Sequence, residues 1–158
     1  MSKTVDGNYE CPDDPGEAGY LGWCRRRSVT DEEADILKEL CTGQKVLEIG
    51  TGLGVSTRAI ATTAREVVSI DIDPWCHEFE FPANVRLMNE IPDEPFDLTF
   101  IDGNHHYQNV MEDIRKAIGK IILHDYYLDD VRMAVQDSRL EIIKVYDTRC
   151  KLTVCASR

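Results

Sequence analysis

The sequence predicts an α/β fold, with a doubly wound sheet of about seven strands that is mostly parallel and ends in an antiparallel hairpin. Short apolar runs alternate with segments whose apolar residues recur at helical spacing, which is the order of a parallel sheet with crossover helices. The last two runs, 141–146 and 152–156, are joined by the short link DTRC, and so short a link allows only an antiparallel pair. A chain of 158 residues is long enough to bury such a sheet in one domain.

The amino-terminal segment, residues 1–29, differs from the rest of the chain. It carries prolines and glycines among acidic residues, which is typical of an irregular arm, and we place the domain itself at 30–158. Thr30 followed by Glu33 is the pattern of a capping box, in which the two side chains satisfy the first backbone amides of a helix. A helix is therefore predicted to begin after Thr30, with Gly43 placed to end it.

The remaining elements follow from apolar runs and their spacing. The predicted strands are short apolar runs, at 46–49, 67–70, 85–88, 96–101, 121–123, 141–146 and 152–156. The other predicted helices have apolar residues at helical spacing, at 55–64, at 107–118 and from a cap at Asp129 or Asp130 through Val135. Only ten residues separate Asp73 from Asn84, so we expect either a turn in place of the second crossover helix or a marginal third strand.

Three glycines follow the first predicted strand at alternate positions, Gly50, Gly52 and Gly54. Glycine adopts positive φ and lets a ligand approach the backbone, so this spacing predicts a turn wrapped around a ligand. Asp71 ends the second predicted strand, where a carboxylate can accept hydrogen bonds from a ribose diol. The turn and Asp71 together predict a site for a cofactor that contains a nucleoside.

Glu48, two residues before the first glycine, sharpens this prediction. Glu48 and the three glycines resemble motif I of the class I S-adenosylmethionine (SAM) dependent methyltransferases, which have a Rossmann-like fold, and VVSIDID (67–73) resembles their motif II. The resemblance covers residues 45 to 156 and implies that the glycine loop packs on the methionine part of SAM while Asp71 holds the ribose hydroxyls. The cofactor-binding residues that it implies are Glu48, Gly50, Thr51, Gly52, Gly54, Ser56, Asp71, Ile72, Asn89 and Asp102.

Acids and histidines gather after the fourth and fifth predicted strands, at the edge of the sheet where open α/β folds bind ligands. Asp102, His105 and His106 lie in FIDGNHHY (100–107), and Asp125 lies in LHDYY (123–127). These stretches resemble the IDG(x)HxY and HDY signatures of a subgroup related to small-molecule O-methyltransferases. The resemblance implies methyl transfer from SAM to a small molecule, with oxygen as the expected acceptor atom.

Transfer to a hydroxyl group requires removal of its proton, and the sequence offers two solutions. His105 or His106 could accept the proton, because histidine titrates near neutral pH. We favour His105, because the lysine base of catechol-type relatives falls near it. Alternatively, Asp102 and Asp125 could hold a divalent cation such as Mg²⁺. Catechol-type relatives bind their metal with acids at these strand ends and an amide after the second, a position that is Tyr126 here.

Charge and apolar content bear on location and partners. The net charge of −11 would repel a phosphate backbone, so nucleic acid is not the expected acceptor. No apolar run approaches the ~18 residues of a membrane span, and no apolar signal core stands at the amino terminus, so we expect a cytoplasmic protein without membrane contact. The six cysteines form no CxxC pair, and reduced thiols are expected. The sequence leaves the oligomeric state open, with a homodimer as one option.

Two other functions remain open at the level of sequence. The chain could bind SAM, or degrade it, without transferring a methyl group, and its small size and short segment after Asp73 favour this alternative. An NAD(P)-binding oxidoreductase would also use a strand, a glycine turn and a helix. Against it stand the GxGxG spacing, which differs from the GxGxxG of the dinucleotide motif, and the lack of room for a substrate domain.

Overall fold

A computed structural model describes residues 28–72 and 79–156; residues 1–27 of the expected amino-terminal arm lie outside these ranges. Helices and strands alternate along most of the described chain. In order they are α1 (Asp31–Cys41), β1 (Lys45–Ile49), α2 (Val55–Ala61), β2 (Glu66–Ile70), β3 (Val85–Met88), β4 (Leu98–Ile101), α3 (Tyr107–Lys116), β5 (Lys120–Leu123), α4 (Asp129–Asp137), β6 (Glu141–Tyr146) and β7 (Leu152–Ala156). None of these helices is long and apolar enough to cross a membrane.

The seven strands form one sheet in the order β3-β2-β1-β4-β5-β7-β6. β1 to β5 pair in parallel with one another, and β7 pairs antiparallel with both β5 and β6. This arrangement confirms the predicted doubly wound sheet with a carboxyl-terminal hairpin. The chain order reverses between β1 and β4, so the carboxyl ends of these two strands flank the topological switch point, where ligands bind in such sheets.

Apolar layers cover both faces of the sheet. On one face, Leu37 of α1 and Ile60 of α2 pack on buried strand residues such as Phe100. On the other face, α3 and α4 pack on β4 and β5, with Val110 and Val131 at the centre. A smaller third layer lies over β1 and β2, where loop residues Phe96 and Ile91 take the place of a helix. The nine residues between β3 and β4, 89–97, form this loop.

The capping box of α1 is present as predicted. The backbone amide of Glu33 donates to Thr30 Oγ1 (3.2 Å), and the backbone amide of Thr30 donates to Glu33 Oε2 (2.8 Å). The predicted cap of α4 is wrong, because Leu128 occupies the N-cap position and no side chain caps that helix. Asp130 instead accepts a hydrogen bond from the backbone amide of Tyr107 (3.0 Å), so its carboxylate joins α4 to α3.

Element ends differ from the prediction by a few residues. α2 ends at Ala61, three residues early, and β4 begins at Leu98, because Phe96 packs in the loop before the strand. β3 pairs with β2 alone and forms one edge of the sheet. No helix occurs within residues 71–72 and 79–84 of the connection that leads to β3, the part of it that the structure describes.

Candidate functional site

The glycine turn after β1 is shaped mainly by neighbouring protein atoms. Gly50 has φ +102°, and a Cβ at this position would overlap the backbone oxygen of Asp102. A Cβ on Gly54, which has φ +74°, would overlap the ring of Phe81. Of the three glycines in the turn, only Gly52 has open space where a Cβ would stand, and Gly52 also lines a cleft. Two of the three glycines therefore allow close packing of the turn, and Gly52 leaves room for a ligand.

Glu48 lies behind the glycine turn and is completely buried. Its carboxylate accepts hydrogen bonds from the hydroxyl groups of Ser56 (2.6 Å), Thr57 (2.5 Å) and Ser69 (2.5 Å). Burial raises the pKa of Glu48 to about 7, although the three hydroxyl groups lower it. Glu48 and Ser56 thus belong to a buried network that joins β1, α2 and β2, and neither of them lines the cleft.

Asp71 connects the end of β2 to the glycine turn. Its Oδ2 accepts hydrogen bonds from the backbone amides of Thr51 (3.0 Å) and Gly52 (2.9 Å). Thr51 is buried, and its hydroxyl group lies 2.7 Å from that of Ser69. Asp71 also lines the cleft, so one side chain fixes the shape of the turn and faces the space beside it.

The cleft has a volume of about 800 Å³ and opens at the carboxyl ends of β1, β2 and β4. This volume lies within the range of roughly 300–1,000 Å³ that is usual for small-molecule sites. Six of its lining residues were predicted as cofactor ligands: Gly50, Gly52, Asp71, Ile72, Asn89 and Asp102. Ile72 is 91% exposed and gives the cleft an apolar surface near its mouth.

A cluster of histidines and acids lies beside the cleft, at the ends of β4 and β5. His124 Nδ1 lies 3.1 Å from Asp102 Oδ1 and 3.2 Å from Asp125 Oδ2. His105 Nε2 lies 2.9 Å from Asp125 Oδ2 and 3.5 Å from Asp102 Oδ1. The four side chains are at most 15% exposed. The fold therefore brings the predicted Asp102, His105 and Asp125 together and adds His124.

The charges in this cluster support one another. Burial lowers the pKa of His124, but the carboxylates of Asp102 and Asp125 outweigh burial and hold that pKa well above its ordinary value. Burial likewise raises the pKa of Asp125, but His124 and His105 outweigh it and hold that pKa far below its usual range. The two carboxylates thus favour the protonated ring of His124, and that ring in turn favours the ionised form of Asp125.

Glu33 extends the cluster from α1, and the sequence assigned it only a capping role. Its Oε2 lies 3.2 Å from His124 Nε2, and its Oε1 accepts a hydrogen bond from the backbone amide of Cys150 (3.0 Å). Burial raises the pKa of Glu33, but His124 and the amides of Thr30 and Cys150 outweigh it and lower the pKa to about 2. No local signal in the sequence connects position 33 with position 124.

Comparisons with known proteins place the chain in a family. A family model described as a methyltransferase domain matches residues 47–126, from β1 through the end of β5. The chain belongs to the methyltransferase domain family. This finding confirms the expected SAM-dependent methyltransferase, and the part of the site it covers includes the glycine turn, Asp71 and the histidine cluster except for Glu33. No curated protein matches the sequence.

Solved structures share the fold of this methyltransferase. An O-methyltransferase from Bacillus cereus in complex with SAH has a TM-score of 0.66 at 18% identity, over 84% of this chain and 83% of that chain. A putative O-methyltransferase from Klebsiella pneumoniae has a TM-score of 0.66 at 18% identity, over 83% and 82%. A tRNA (m1A58) methyltransferase, TrmI from Aquifex aeolicus, has a TM-score of 0.63 at 16% identity, over 82% and 69%. These TM-scores establish the Rossmann-like methyltransferase fold, and identities this low establish nothing beyond the fold. The fold is shared by enzymes with different acceptors.

The cluster of the methyltransferase offers mixed ligands to the divalent cation expected between Asp102 and Asp125, which stays a prediction. One ligand atom each of Asp102, His124 and Asp125 lies within 4.8 Å of the others, which is close enough for a shared ion. His124 Nδ1 lies between the two carboxylates, so a shared ion would meet a ring nitrogen as well as oxygen atoms, whereas Mg²⁺ prefers oxygen ligands in octahedral geometry. Tyr126 stands where an amide ligand was expected, and it packs in the apolar layer of α3 and α4.

The two candidate bases occupy different surroundings. His105 is largely buried against Asp125. His106 is exposed at the N-cap of α3, where its backbone amide donates to Asn104 Oδ1 (3.0 Å). The methyltransferase therefore presents one histidine of this pair to the acid cluster and the other to solvent.

Asp113 of α3 is a cleft residue that the sequence analysis missed. Burial raises the pKa of its half-buried carboxyl group to about 6. Lys116 also lines the cleft, but its Nζ pairs with Glu112 Oε1 (2.6 Å) and not with Asp113. One signal could have identified Asp113: it stands three residues after Val110 and directly before Ile114, on the inward side of the predicted helix.

Replacing Asp113 with asparagine should stabilise the methyltransferase at neutral pH. The pKa of Asp113 rises from 3.8 to about 6 on folding, so the folded state binds the proton more tightly than the unfolded state does. The free energy of unfolding of the protein therefore falls as the pH rises from about 4 to about 6. The shift corresponds to at most about 3 kcal/mol, and partial exposure reduces the expected gain to about 1–2 kcal/mol at pH 7.5. Near pH 3 the gain should vanish.

Urea unfolding of the two proteins at both pH values measures this effect. Glu112→Gln is the matched control, because Glu112 neighbours Asp113 on the exposed side of α3. It loses only the exposed ion pair with Lys116, so its stability should stay within about 0.5 kcal/mol of the wild type. Equal stability of Asp113→Asn and the wild type at pH 7.5 would show that the carboxyl group is solvated in the cleft.

Proposed function

We propose that this methyltransferase transfers the methyl group of SAM to a hydroxyl group of a small molecule, with His105 as the general base. The observation that carries the proposal is the contact of His105 Nε2 with Asp125 Oδ2 at 2.9 Å. His105 Nε2 also lies 3.5 Å from Asp102 Oδ1, and Asp102 lines the cleft. A carboxylate in this position orients the imidazole ring and stabilises the positive charge that forms when the ring accepts a proton.

The cleft supplies a suitable seat for SAM. In this proposal Gly52 faces the methionine part, Asp71 binds the ribose hydroxyl groups, and Asn89 and Ile72 lie against the adenine. Glu48, Thr51, Gly54 and Ser56 act indirectly, because they hold the turn from behind. When bound, SAM supplies a methyl group activated by its sulfonium, so the chain needs only to align the acceptor and remove its proton.

The small-molecule acceptor is supported by charge and by two structural neighbours. A net charge of −11 disfavours the phosphate backbone of a nucleic acid. The Bacillus cereus neighbour is an O-methyltransferase and the Klebsiella pneumoniae neighbour a putative one, whereas the Aquifex aeolicus neighbour is a tRNA methyltransferase. A cytoplasmic location and a homodimer stay predictions from the sequence.

Asp71→Ala should weaken SAM binding by about 1–3 kcal/mol, because a ribose hydroxyl group and the amides of Thr51 and Gly52 lose their acceptor. Calorimetric titration with SAM and with SAH measures this loss. Asp71→Asn is a sharper second variant, since its amide oxygen can still accept from the two backbone amides. Asp93→Asn removes an exposed acid outside the cleft and should bind SAM as the wild type does.

The same titrations distinguish the functions that the sequence left open. Binding of NADH in place of SAM would overturn the proposal in favour of an oxidoreductase. For a SAM-binding wild type, incubation with SAM and a panel of hydroxylated small molecules should release SAH and a methylated product. Release of methylthioadenosine without a methylated product would identify a SAM-degrading enzyme.

A further inference from the structure

We propose that Glu33 is a positioning residue for methyl transfer: from α1 it holds His124 against Asp102 and Asp125, and it thereby sets the position of His105. This inference rests on the proposed function, in which His105 is the base. Glu33 lies outside residues 47–126, so the matched methyltransferase domain does not include it. The contact is supplied by the helix that precedes that domain.

Both carboxylate oxygens of Glu33 accept hydrogen bonds from backbone amides, one three residues away and the other in a distant part of the chain. Oε1 accepts from the amide of Cys150 (3.0 Å), and Oε2 accepts from the amide of Thr30 (2.8 Å) while lying 3.2 Å from His124 Nε2. The Glu33 side chain is completely buried. Rotating it away would leave buried amides without a partner, which is costly, so its position is fixed.

Glu33 in turn fixes the ring of His124. That ring is buried and meets Phe100 edge-on, with 6.4 Å between the ring centroids. With Nε2 held by Glu33, the other nitrogen faces Asp102 Oδ1 and Asp125 Oδ2 at 3.1 and 3.2 Å. Asp125 Oδ2 is the atom that also contacts His105 Nε2 at 2.9 Å. A continuous chain of polar contacts therefore joins Glu33 to the proposed base.

Helix capping alone does not account for Glu33. A capping box works equally well with glutamine, and it requires no buried charge. Removing a carboxylate from water is expensive unless a partner charge compensates for it. The group that faces Glu33 is His124, at 3.2 Å, and the carboxylates around its ring favour its protonated form. The contact with His124 therefore explains why a glutamate is buried at this position, and the same carboxylate also caps the helix.

Two variants separate the positioning role from the capping role. Glu33→Gln keeps the size of the side chain and its ability to cap, but it loses the charge that faces His124. Thr30→Ala removes the capping hydroxyl group, which accepts from the Glu33 amide (3.2 Å) and has no contact with His124. The two variants thus damage the same helix end, and only the first changes the cluster.

The readout is the pair of ¹⁵N ring signals of His105, recorded on the full chain with and without SAH and assigned with a His105→Ala variant. Glu33 does not touch His105, so a merely structural role would leave these signals in place. We expect them to shift in Glu33→Gln and to stay at their wild-type positions in Thr30→Ala. Once an acceptor is known, Glu33→Gln should lower kcat by about 10–100-fold with an unchanged KM for SAM, as for other residues that orient a catalytic group from behind.

Unchanged His105 signals in Glu33→Gln, or equal shifts in both variants, would overturn the positioning role. If Glu33→Gln does not fold, Glu33→Asp provides the same test, because its shorter carboxylate keeps the charge but retracts from His124. The proposed function fails separately, through absence of SAH binding by the wild type. The signals recorded without SAH still test the coupling between Glu33 and His105 in that case.

Discussion

His105→Ala should reduce the rate of methyl transfer by about 10²–10⁴-fold, which is the usual contribution of a general base. SAM affinity should stay at the wild-type value, because His105 contacts the acid cluster and does not line the cleft. The loss should therefore fall on kcat. The measurement is SAH release with an acceptor found by screening hydroxylated small molecules, combined with calorimetric titration of SAH.

The neighbouring histidine is the matched control for this experiment. His106→Ala changes an exposed ring one position away and should retain activity. A variant His105→Ala with full turnover would remove His105 from the mechanism, and loss of turnover in His106→Ala alone would transfer the role to that residue. His105→Gln adds a further comparison, because an amide can bond to Asp125 but cannot accept the proton of the acceptor.

Gly50→Ala should lower the free energy of unfolding by about 2–6 kcal/mol. An alanine at φ +102° is strained by roughly 1–3 kcal/mol, and forcing its methyl group against protein atoms adds about 1–3 kcal/mol. The atom it meets is the backbone oxygen of Asp102, which cannot move freely because the Asp102 amide donates to the oxygen of Ile49 (2.9 Å). Urea unfolding measures the loss.

Gly52→Ala provides the contrast in the same turn. Its φ of +50° costs alanine about 1–2 kcal/mol, but the added methyl group meets open space. This variant should fold and bind SAM more weakly, since the methyl group projects into the cleft. Equal stabilities of Gly50→Ala and Gly52→Ala would contradict the close approach of β1 and β4 at Gly50.

The sequence was sufficient for the fold because its strongest signals are local. Apolar runs, a capping box and a glycine turn each act over a few residues, and the parallel sheet follows from their order. Asp102 and Asp125 were predicted to lie close together because each ends a strand, and the ends of parallel strands meet at one edge of the sheet. Asp71, which ends another strand, was predicted to bind the ribose of the cofactor. The structure places Asp71 and Asp102 in the same cleft and Asp102 and Asp125 in the same cluster.

Side-chain direction explains what the sequence did not reveal. Glu48 ends in a buried network of hydroxyl groups, which no spacing rule distinguishes from a ligand contact. The capping box alone accounts for a glutamate three residues after Thr30, so the sequence gives no sign that Glu33 contacts His124. The raised pKa of His124 was missed for a similar reason, because it depends on two carboxylates that only the folded sheet brings near the ring.

The contacts of Glu33 also join the histidine cluster to two parts of the chain that are far apart in sequence. The contact between Glu33 and His124 spans 91 positions of the sequence, and that between Glu33 and Cys150 spans 117 positions. We expect contacts between such distant residues to form late in folding, because closing a long loop costs entropy. Under the proposed roles of Glu33 and His105, methyl transfer would therefore require that α1 and the segment at Cys150 have both docked on the sheet.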